Sequence, residues 1–582
     1  MKKYLIVVLL NFVVVNIFAQ TNISGIINDY ASVTNIISCN NQIEIADASA
    51  FSVGDTVLMI QMKGATMNTT NTAAFGDLIS LNNAGNYEYN TISNISGTTI
   101  TFLNTLAHAY NVTGIVQLVR IPSYSGNVTV TATLTAQAWN GTTGGILAFN
   151  VGGTITLNAD IDVSEQGFRG GVINNTINNC NWFLTPDFVS YFHSNGTEFA
   201  AGKGEGIVEF LAGMGSARGK QLNGGGGGND SQTGGGGGAG FGTGGIGGIN
   251  NEPSSFICDG NYPGIGGDSL NYVNRYIFSG AGGAGHGNTF SSFAGNAGGL
   301  IYIKANAIIP NSFNVLANGQ DGNDGVVVDN DGGAGGGAGG IIILDIISST
   351  DFNVSATGGN GSSTDVFGGT NGRCYGPGGG AGGGLILTPA SLTFTANVSG
   401  GTAGIITNSS STNGCNGTTA GATNGGAGAS LPTIFPNSNF GFAFVNSTII
   451  NDTICSNQNY TLPNGSIVNN DTTFIDTLLN VQACDSIVEV NLVVYQAFLD
   501  TLYQSSCNAS DTGTFVVNDS TIFGCDSITT LIVSLLQGSL DTIYSSSCNI
   551  ADTGTILFTD TTSFGCDSNT LQIISLLPSY ND

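Results

Sequence analysis

Gly298-Gly299-Leu300-Ile301-Tyr302-Ile303 and Gly339-Gly340-Ile341-Ile342-Ile343-Leu344 lie 41 positions apart and carry one plan, a glycine pair that opens into an apolar strand. The same plan appears at Gly144-Gly145-Ile146-Leu147-Ala148-Phe149 and at Gly383-Gly384-Leu385-Ile386-Leu387. Each copy is followed by a second strand that ends on glycine: Ile161-Asp162-Val163-Ser164 to Gly167, Phe313-Asn314-Val315-Leu316 to Gly319, Phe352-Asn353-Val354-Ser355 to Gly358, and Phe394 to Gly400. Self-similarity at a fixed period marks a solenoid, because one unit cannot bury its apolar face until a neighbour stacks on it. The expected fold class is therefore all-β: a small N-terminal β domain, a glycine-rich parallel β-solenoid, and small β repeats in tandem at the C-terminus.

Around this spine the chain divides by composition. Residues 1–19 read as a signal peptide, with Met1-Lys2-Lys3, an apolar run from Tyr4 to Val15, and cleavage expected after Ala19. Residues 20–124 alternate in short strands between Asn, Gly, Ser and Asp clusters, with hairpins expected at Phe51 to Ala65 and at Asn94 to Leu103. Residues 125–440 form the solenoid, with an insertion over 168–297. Residues 445–582 form three disulfide-stapled repeats of about 41 residues, in an array expected to continue further. No segment after the signal is long and apolar enough to cross a membrane.

The insertion holds the glycine tracts Gly224 to Gly228, Gly234 to Gly238, Gly242 to Gly248 and Gly280 to Gly287, the third with Thr and Ile interspersed. Two readings stand. Such tracts are flexible linkers when unpacked; side-chain-free chains can also approach closely enough to pack as polyglycine II-like rods. Phe241, Ile246, Ile249, Phe278 and Phe290 favour packing.

The chain has 11 Lys plus Arg against 38 Asp plus Glu, a formal charge of −27. Nucleic acid is disfavoured, since a phosphate backbone is held by Lys and Arg. Six of the eleven cysteines fall in the last third at regular spacing, and the pairs expected within units are Cys455 with Cys484, Cys507 with Cys525, and Cys548 with Cys566. Cys374 and Cys415 are expected to meet on stacked coils and Cys180 and Cys258 to close the insertion, which leaves Cys39 over.

The first C-terminal unit runs Asp452-Thr453-Ile454-Cys455, Tyr460-Thr461-Leu462-Pro463-Asn464-Gly465 and Cys484-Asp485-Ser486-Ile487; its closing motif recurs as Cys525-Asp526-Ser527-Ile528 and, altered, as Cys566-Asp567-Ser568-Asn569. These units resemble the CDSI-type repeats of large secreted surface proteins of gliding Gram-negative bacteria. Ala138-Trp139-Asn140-Gly141 and Gly167-Phe168-Arg169-Gly170-Gly171 look like the glycine-rich regions that accompany those repeats. The resemblance implies export by the type IX secretion machinery, although the sorting domain usual after the repeats is not visible. It also implies O-glycosylation at Asp-Ser/Thr-apolar triplets such as Asp55-Thr56-Val57, Asp452-Thr453-Ile454, Asp500-Thr501-Leu502 and Asp541-Thr542-Ile543.

Chemistry is sparse. Asp321, Asp324, Asp329 and Asp331 form the best acidic cluster, readable as a solvated turn, as a calcium site, or as paired carboxylates for glycoside cleavage. No basic residue lies near them to neutralise an acidic sugar. Gly264, Gly266, Asp268 and Leu270 match part of one calcium-binding nonapeptide. His193 with Tyr191, Phe183 and Trp182 could stack on a sugar, though ordinary packing suits them as well. The three histidines are scattered, and no nucleophile–base pair is suggested. The expected role is a non-catalytic, extracellular adhesin-like protein contacting glycans or surfaces; the alternatives are a carbohydrate-active β-helix enzyme and a passive stalk.

Overall fold

The chain is described by a computed structural model over residues 20–578, apart from 38–40, 173–188, 194–199, 210, 230–231, 251–260, 288–292, 324–330, 366–373, 408–413, 434–446, 480–484, 496–497, 521–524 and 564. It divides into two compact units, Met1–Phe444 and Val445–Asp582.

In the first unit the repeated glycine-pair strands stack in parallel. Ile146–Leu157, Leu300–Ile309, Ile341–Ser349, Leu385–Thr388 and Ala429–Pro432 form one row, and Ile146, Leu300, Ile341, Leu385 and Ala429 share a register line. The predicted second strands form another row, Ile161–Asp162, Val315–Leu316, Asn353–Ser355 and Thr395–Asn397, which Val128–Thr135 extends and joins to the first by pairing with Ile146–Leu157. Side chains of a strand alternate between faces, and here both faces are buried. Leu147, Phe149, Ile301, Ile303, Ile342 and Leu344 meet the second row. Ile146, Ala148, Leu300, Tyr302, Ile341 and Ile343 face the other way, into a separate core. Covering both faces explains the unbroken apolar runs that open each repeat.

Residues 20–124 contribute a closed six-stranded barrel, in the order Tyr30–Ile37, Gln42–Ile45, Thr99–Phe102, Tyr87–Ser96, Thr56–Gln61, Val116–Ile121. Thr21–Ile26 lies outside it, pairing in parallel with Val128–Thr135. Tyr87–Ser96 and Thr99–Phe102 make the predicted hairpin about Gly97. The hairpin expected at Phe51 to Ala65 does not form. Thr56–Gln61 is instead a central strand between Tyr87–Ser96 and Val116–Ile121. Its apolar residues serve two cores, Val57 and Met59 inside the barrel and Leu58 and Ile60 on the solenoid side.

The glycine tracts are packed, not linkers. The segment 234–240 donates backbone hydrogen bonds with a period of three: Gly234, Gly237 and Gly240 to Gly248, Gly245 and Gly242; Gly235 and Gly238 to Gly333 and Gly336; Gly236 and Ala239 to Gly226 and Asn223. Its carbonyls accept with the same period, from Gly264, Gly267 and Leu270, from Gly379 and Gly382, and from Gly283 and Gly280. One rod therefore bonds to six neighbouring segments, which is what a three-residue left-handed helix allows when its bonds point outward in three directions. Every side of such a rod meets another backbone, so a side chain finds space only at a few alanine positions. A Cβ on Gly378 would sit 1.8 Å from the Ala334 carbonyl oxygen, and one on Gly319 1.8 Å from that of Gly337. The ordering entropy of glycine, costing ~0.5–1 kcal/mol more per residue than alanine, is offset by burying a fully paired backbone.

In the second unit three modules share one topology, each with its last strand central, parallel to the first and antiparallel to the second. This parallel pairing overturns the cysteine pairs expected within modules. In the second module Ser506 lies beside Leu535, whereas Ser527 lies beside Phe498. Cys507 and Cys525 are thus at opposite ends of strands about 30 Å long at ~3.3 Å per residue, far beyond disulfide reach. The bonds run between modules instead: Cys455 to Cys525 with Cα atoms 5.4 Å apart, and Cys507 to Cys566 with Cα atoms 5.1 Å apart. Cys548, expected to pair with Cys566, is a free and exposed thiol. In the first unit Cys374 and Cys415 are bonded as predicted, with Cα atoms 6.0 Å apart. Cys39, Cys180, Cys258 and Cys484 lie outside the described residues.

Candidate functional site

A cleft of about 530 Å³ opens where barrel and solenoid meet, lined by Ile27, Gly54, Asp55, Thr56, Arg120, Ile121, Pro122, Ser123 and Tyr124. The last two residues of the barrel strand Val116–Ile121 give Arg120 and Ile121, and the short strand Ser123–Tyr124 follows at once, pairing with Asn150 and Val151 of the solenoid. Pro122 between them cannot donate a backbone bond, which ends the barrel strand and turns the chain onto the solenoid.

Arg120 is held from behind. Its Nε donates to Asp29 Oδ2 at 2.7 Å, Nη2 contacts the same oxygen, and the backbone N–H of Arg120 reaches the Asp29 carbonyl at 2.9 Å. Asn28 Nδ2 donates to the Arg120 carbonyl at 2.9 Å. The Arg120 side chain as a whole is 29% exposed. Asp55 caps its own turn by accepting from the Ser52 N–H at 2.7 Å, and Ser123 Oγ accepts from Asn150 Nδ2 at 3.1 Å. Burial pushes the half-buried Tyr124 phenol up, with Arg120 opposing. The cleft thus offers a fixed guanidinium, a carboxylate, a hydroxyl and an aromatic wall, the mixture that pairs with vicinal hydroxyls and the C–H face of a sugar.

A second group lies within the barrel. Glu88 is 7% exposed, and burial pushes its carboxyl up to about 8 against hydrogen bonds from the backbone N–H groups of Ala107 and His108. The Ala107 bond is 2.6 Å, His108 Nδ1 is 4.0 Å away, and burial lowers the His108 pKa. Glu88 Oε1 and the buried Tyr110 hydroxyl have no hydrogen-bond partner among the described residues.

The two glycine-aromatic motifs noted in the sequence meet around one carboxylate. Glu205 accepts from Trp139 Nε1 and from the Arg169 backbone N–H, both at 3.0 Å, and from Arg169 Nη2 at 2.6 Å, with Lys63 Nζ at 3.6 Å. Desolvation would raise the Glu205 pKa, but Arg169 and Lys63 outweigh it and hold the carboxylate low. Trp139 and Phe168 pack edge to face at 5.5 Å, and Lys63 lies over the Phe168 ring. This cluster fastens barrel, insertion and solenoid together.

Of the predicted acidic cluster, Asp321 and Asp331 are among the described residues. Asp321 Oδ1 accepts from the Asn360 N–H at 2.6 Å, and Asn360 Oδ1 accepts in turn from the Thr402 N–H at 2.8 Å, so Asp321 is a rung of a side-chain ladder along the coils. Asp331 is buried at 2%, and Asp324 and Asp329 lie outside the described residues. No group of three or more metal-ligating side chains occurs among the described residues. Of the partial nonapeptide, Gly264 and Gly266 belong to the glycine bundle and Asp268 pairs with Lys220 at 2.7 Å. Tyr191 lies under Arg218 at 4.8 Å, the His193 N–H bonds to the Ser216 carbonyl, and Phe183 and Trp182 are not described. In the modules Thr453 and Thr501 are exposed, and the N–H of each donates to the side chain of the preceding Asp at 2.8 Å.

No family model and no curated protein matches the chain. Among solved structures it is similar to the Gp54 tailspike of Acinetobacter baumannii bacteriophage AP22 in complex with A. baumannii capsular saccharide, at 10% identity and a TM-score of 0.13. That match covers 66% of this chain and 58% of the tailspike chain, and at this score it carries no argument. No described helix is long and apolar enough to cross a membrane.

Proposed function

We propose that the protein is an exported, non-catalytic adhesin-like scaffold that binds extracellular glycans in the cleft around Arg120, Asp55 and Tyr124. The observation that carries this reading is the Arg120 guanidinium, locked by Asp29 and still open to the cleft beside an aromatic ring. A donor fork that needs no reorganisation loses little entropy on binding. The packed glycine bundle and the solenoid give that cleft a rigid mount, and the laddered modules suit a protein that extends from a surface. Export by the type IX machinery is part of the same reading and rests on the sequence resemblance.

The test is a glycan array probed with the full chain and with Arg120→Ala and Tyr124→Ala. The expected result is saturable binding to a subset of glycans, weakened at least tenfold by either substitution while the melting temperature of Tyr124→Ala stays close to that of the parent. Binding indifferent to both substitutions, or no binding across a broad panel, rejects the reading. A carbohydrate-cleaving enzyme is favoured by one observation, the buried Glu88 carboxyl, pushed up to about 8 by burial, with His108 Nδ1 4.0 Å away. Release of reducing ends that disappears in Glu88→Gln would establish it.

A further inference from the structure

The free thiol of Cys548 is not an isolated residue but the third member of a series. Cys455 closes the first strand of the first module, and Cys507 directly follows the first strand of the second. Each is bonded to the cysteine that directly precedes the central strand of the next module, Cys525 before Asp526 and Cys566 before Asp567. Cys548 directly follows the first strand of the third module, Ser539–Ser547. The receiving cysteines are buried at 1% and 2%, while Cys507 and Cys548 lie at the surface.

The frame around Cys548 repeats that around Cys507 bond for bond. The Asn508 N–H donates to Ser506 Oγ at 3.2 Å, and the Asn549 N–H to Ser547 Oγ at 3.1 Å. Asn508 Oδ1 accepts from the Ser510 N–H at 3.2 Å, and Asn549 Oδ1 from the Ala551 N–H at 3.1 Å. Thr512 Oγ1 donates to the Ala509 carbonyl and Thr553 Oγ1 to the Ile550 carbonyl, both at 2.8 Å. The geometry that presents Cys507 to Cys566 is therefore rebuilt at Cys548.

We infer that Cys548 is an intermodule coupling site, whose partner is the strand-leading cysteine of another three-stranded module of this kind. Closing it needs a two-electron oxidant, here a small-molecule disulfide such as oxidised glutathione. The Cys548 thiolate attacks that disulfide and expels one small thiolate; the incoming module's thiolate then attacks the mixed disulfide at Cys548 and expels the second. Two protein thiols and one small disulfide become one protein disulfide and two small thiols. Buried receiving cysteines confine the exchange to a module already docked in register, so the coupling selects modules and not thiols at large.

The experiment extends the full chain by a second copy of its third module, residues 537–577, oxidises it with glutathione disulfide, and maps the disulfides by peptide mass spectrometry. The expected map links Cys548 to the strand-leading cysteine of the added module, leaves the Cys507–Cys566 bond in place, and places the free thiol in the added module. In the unextended chain Cys548 is expected to be alkylated. With Cys548→Ser in the extended chain, the added module's strand-leading cysteine should be alkylated and that module cleaved faster by protease, with the earlier bonds unchanged. A Cys548 that stays free or carries only glutathione in the extended chain, or that bonds Cys566 of its own module, overturns the inference.

Discussion

Replacing Gly283 by alanine adds a single methyl group, and the structure says where it goes. The new Cβ would lie 2.0 Å from the Gly226 carbonyl oxygen and 2.4 Å from the Gly226 carbonyl carbon, where real Cβ contacts under 3.0 Å essentially never occur. The carbonyl must retreat by about 1 Å, yet it accepts the Gly236 N–H at 2.8 Å, and Gly283 itself bridges Gly236 and Gly335 through bonds of 2.8 and 2.9 Å. Overpacking costs ~1–3 kcal/mol, and each buried backbone group left unpaired ~1–3 kcal/mol. Loss of unfolded-chain freedom returns only ~0.4–1 kcal/mol. The expected net destabilisation is ~3–5 kcal/mol, read by chemical denaturation of the full chain. The neighbouring Ala284, fully buried against Ala201, Ala294 and Ala334, supplies the reverse change. Ala284→Gly removes a methyl and should cost ~1–2 kcal/mol. A Gly283→Ala protein as stable as the parent, or more stable, would refute the packing argument, since that is how an unpacked linker glycine behaves.

Three further outcomes are expected. Glu88 carries a folded pKa of about 8 against an ordinary 4.5, so between those values the folded state holds the extra proton and stability falls as pH rises. The parent should therefore lose up to ~5 kcal/mol relative to Glu88→Gln on going from pH 4.5 to pH 8, and parallel pH profiles would contradict the assignment. Lys203 Nζ donates to the carbonyls of Tyr191, Ala217 and Gly219 at 2.5, 3.0 and 2.5 Å beneath the Phe75 ring. Lys203→Met should cost ~1–3 kcal/mol in the same denaturation assay, because the Gly219 carbonyl loses its donor while those of Tyr191 and Ala217 keep the Gly219 and Gly227 N–H groups. Removing the Cys374–Cys415 bond, which spans 41 positions, should cost ~4 kcal/mol in the chain-entropy model, measured on the double alanine variant.

What the sequence revealed was whatever repeats. The glycine-pair strands announce the parallel rows because their spacing and apolar runs are local signals, and Cys374 and Cys415 share that spacing. The same regularity misled at Cys455, Cys507 and Cys548. Spacing suggested bonds within modules, but the parallel pairing of first and last strands, invisible to spacing, sends each bond to the next module. The glycine tracts left two readings open because the partners of 234–240 come from six segments scattered between 223 and 382. The hairpin at Phe51 to Ala65 failed for a related reason, since alternation shows that a segment is a strand without naming its neighbours.

The cleft was not legible at all. Arg120, Asp29 and Tyr124 carry no motif, and they converge only because Pro122 turns the barrel strand onto the solenoid. The one usable signal was scarcity, as a chain with 11 Lys plus Arg keeps few of them without a structural or binding role. Asp321 illustrates the same limit. The sequence left it open between a solvated turn, a calcium site and paired carboxylates, and its bond to the Asn360 N–H joins residues 39 positions apart that no local signal links.

The most direct test of the account is hydrogen–deuterium exchange of the full chain, followed by mass spectrometry of peptides covering 223–248 and 279–287. If these glycines are the packed core, their amides should exchange as slowly as those of the solenoid strand Leu300–Ile309, with protection lost only on global unfolding. Exchange complete within seconds, while Leu300–Ile309 stays protected, would make the tracts linkers and contradict the architecture on which the rest depends.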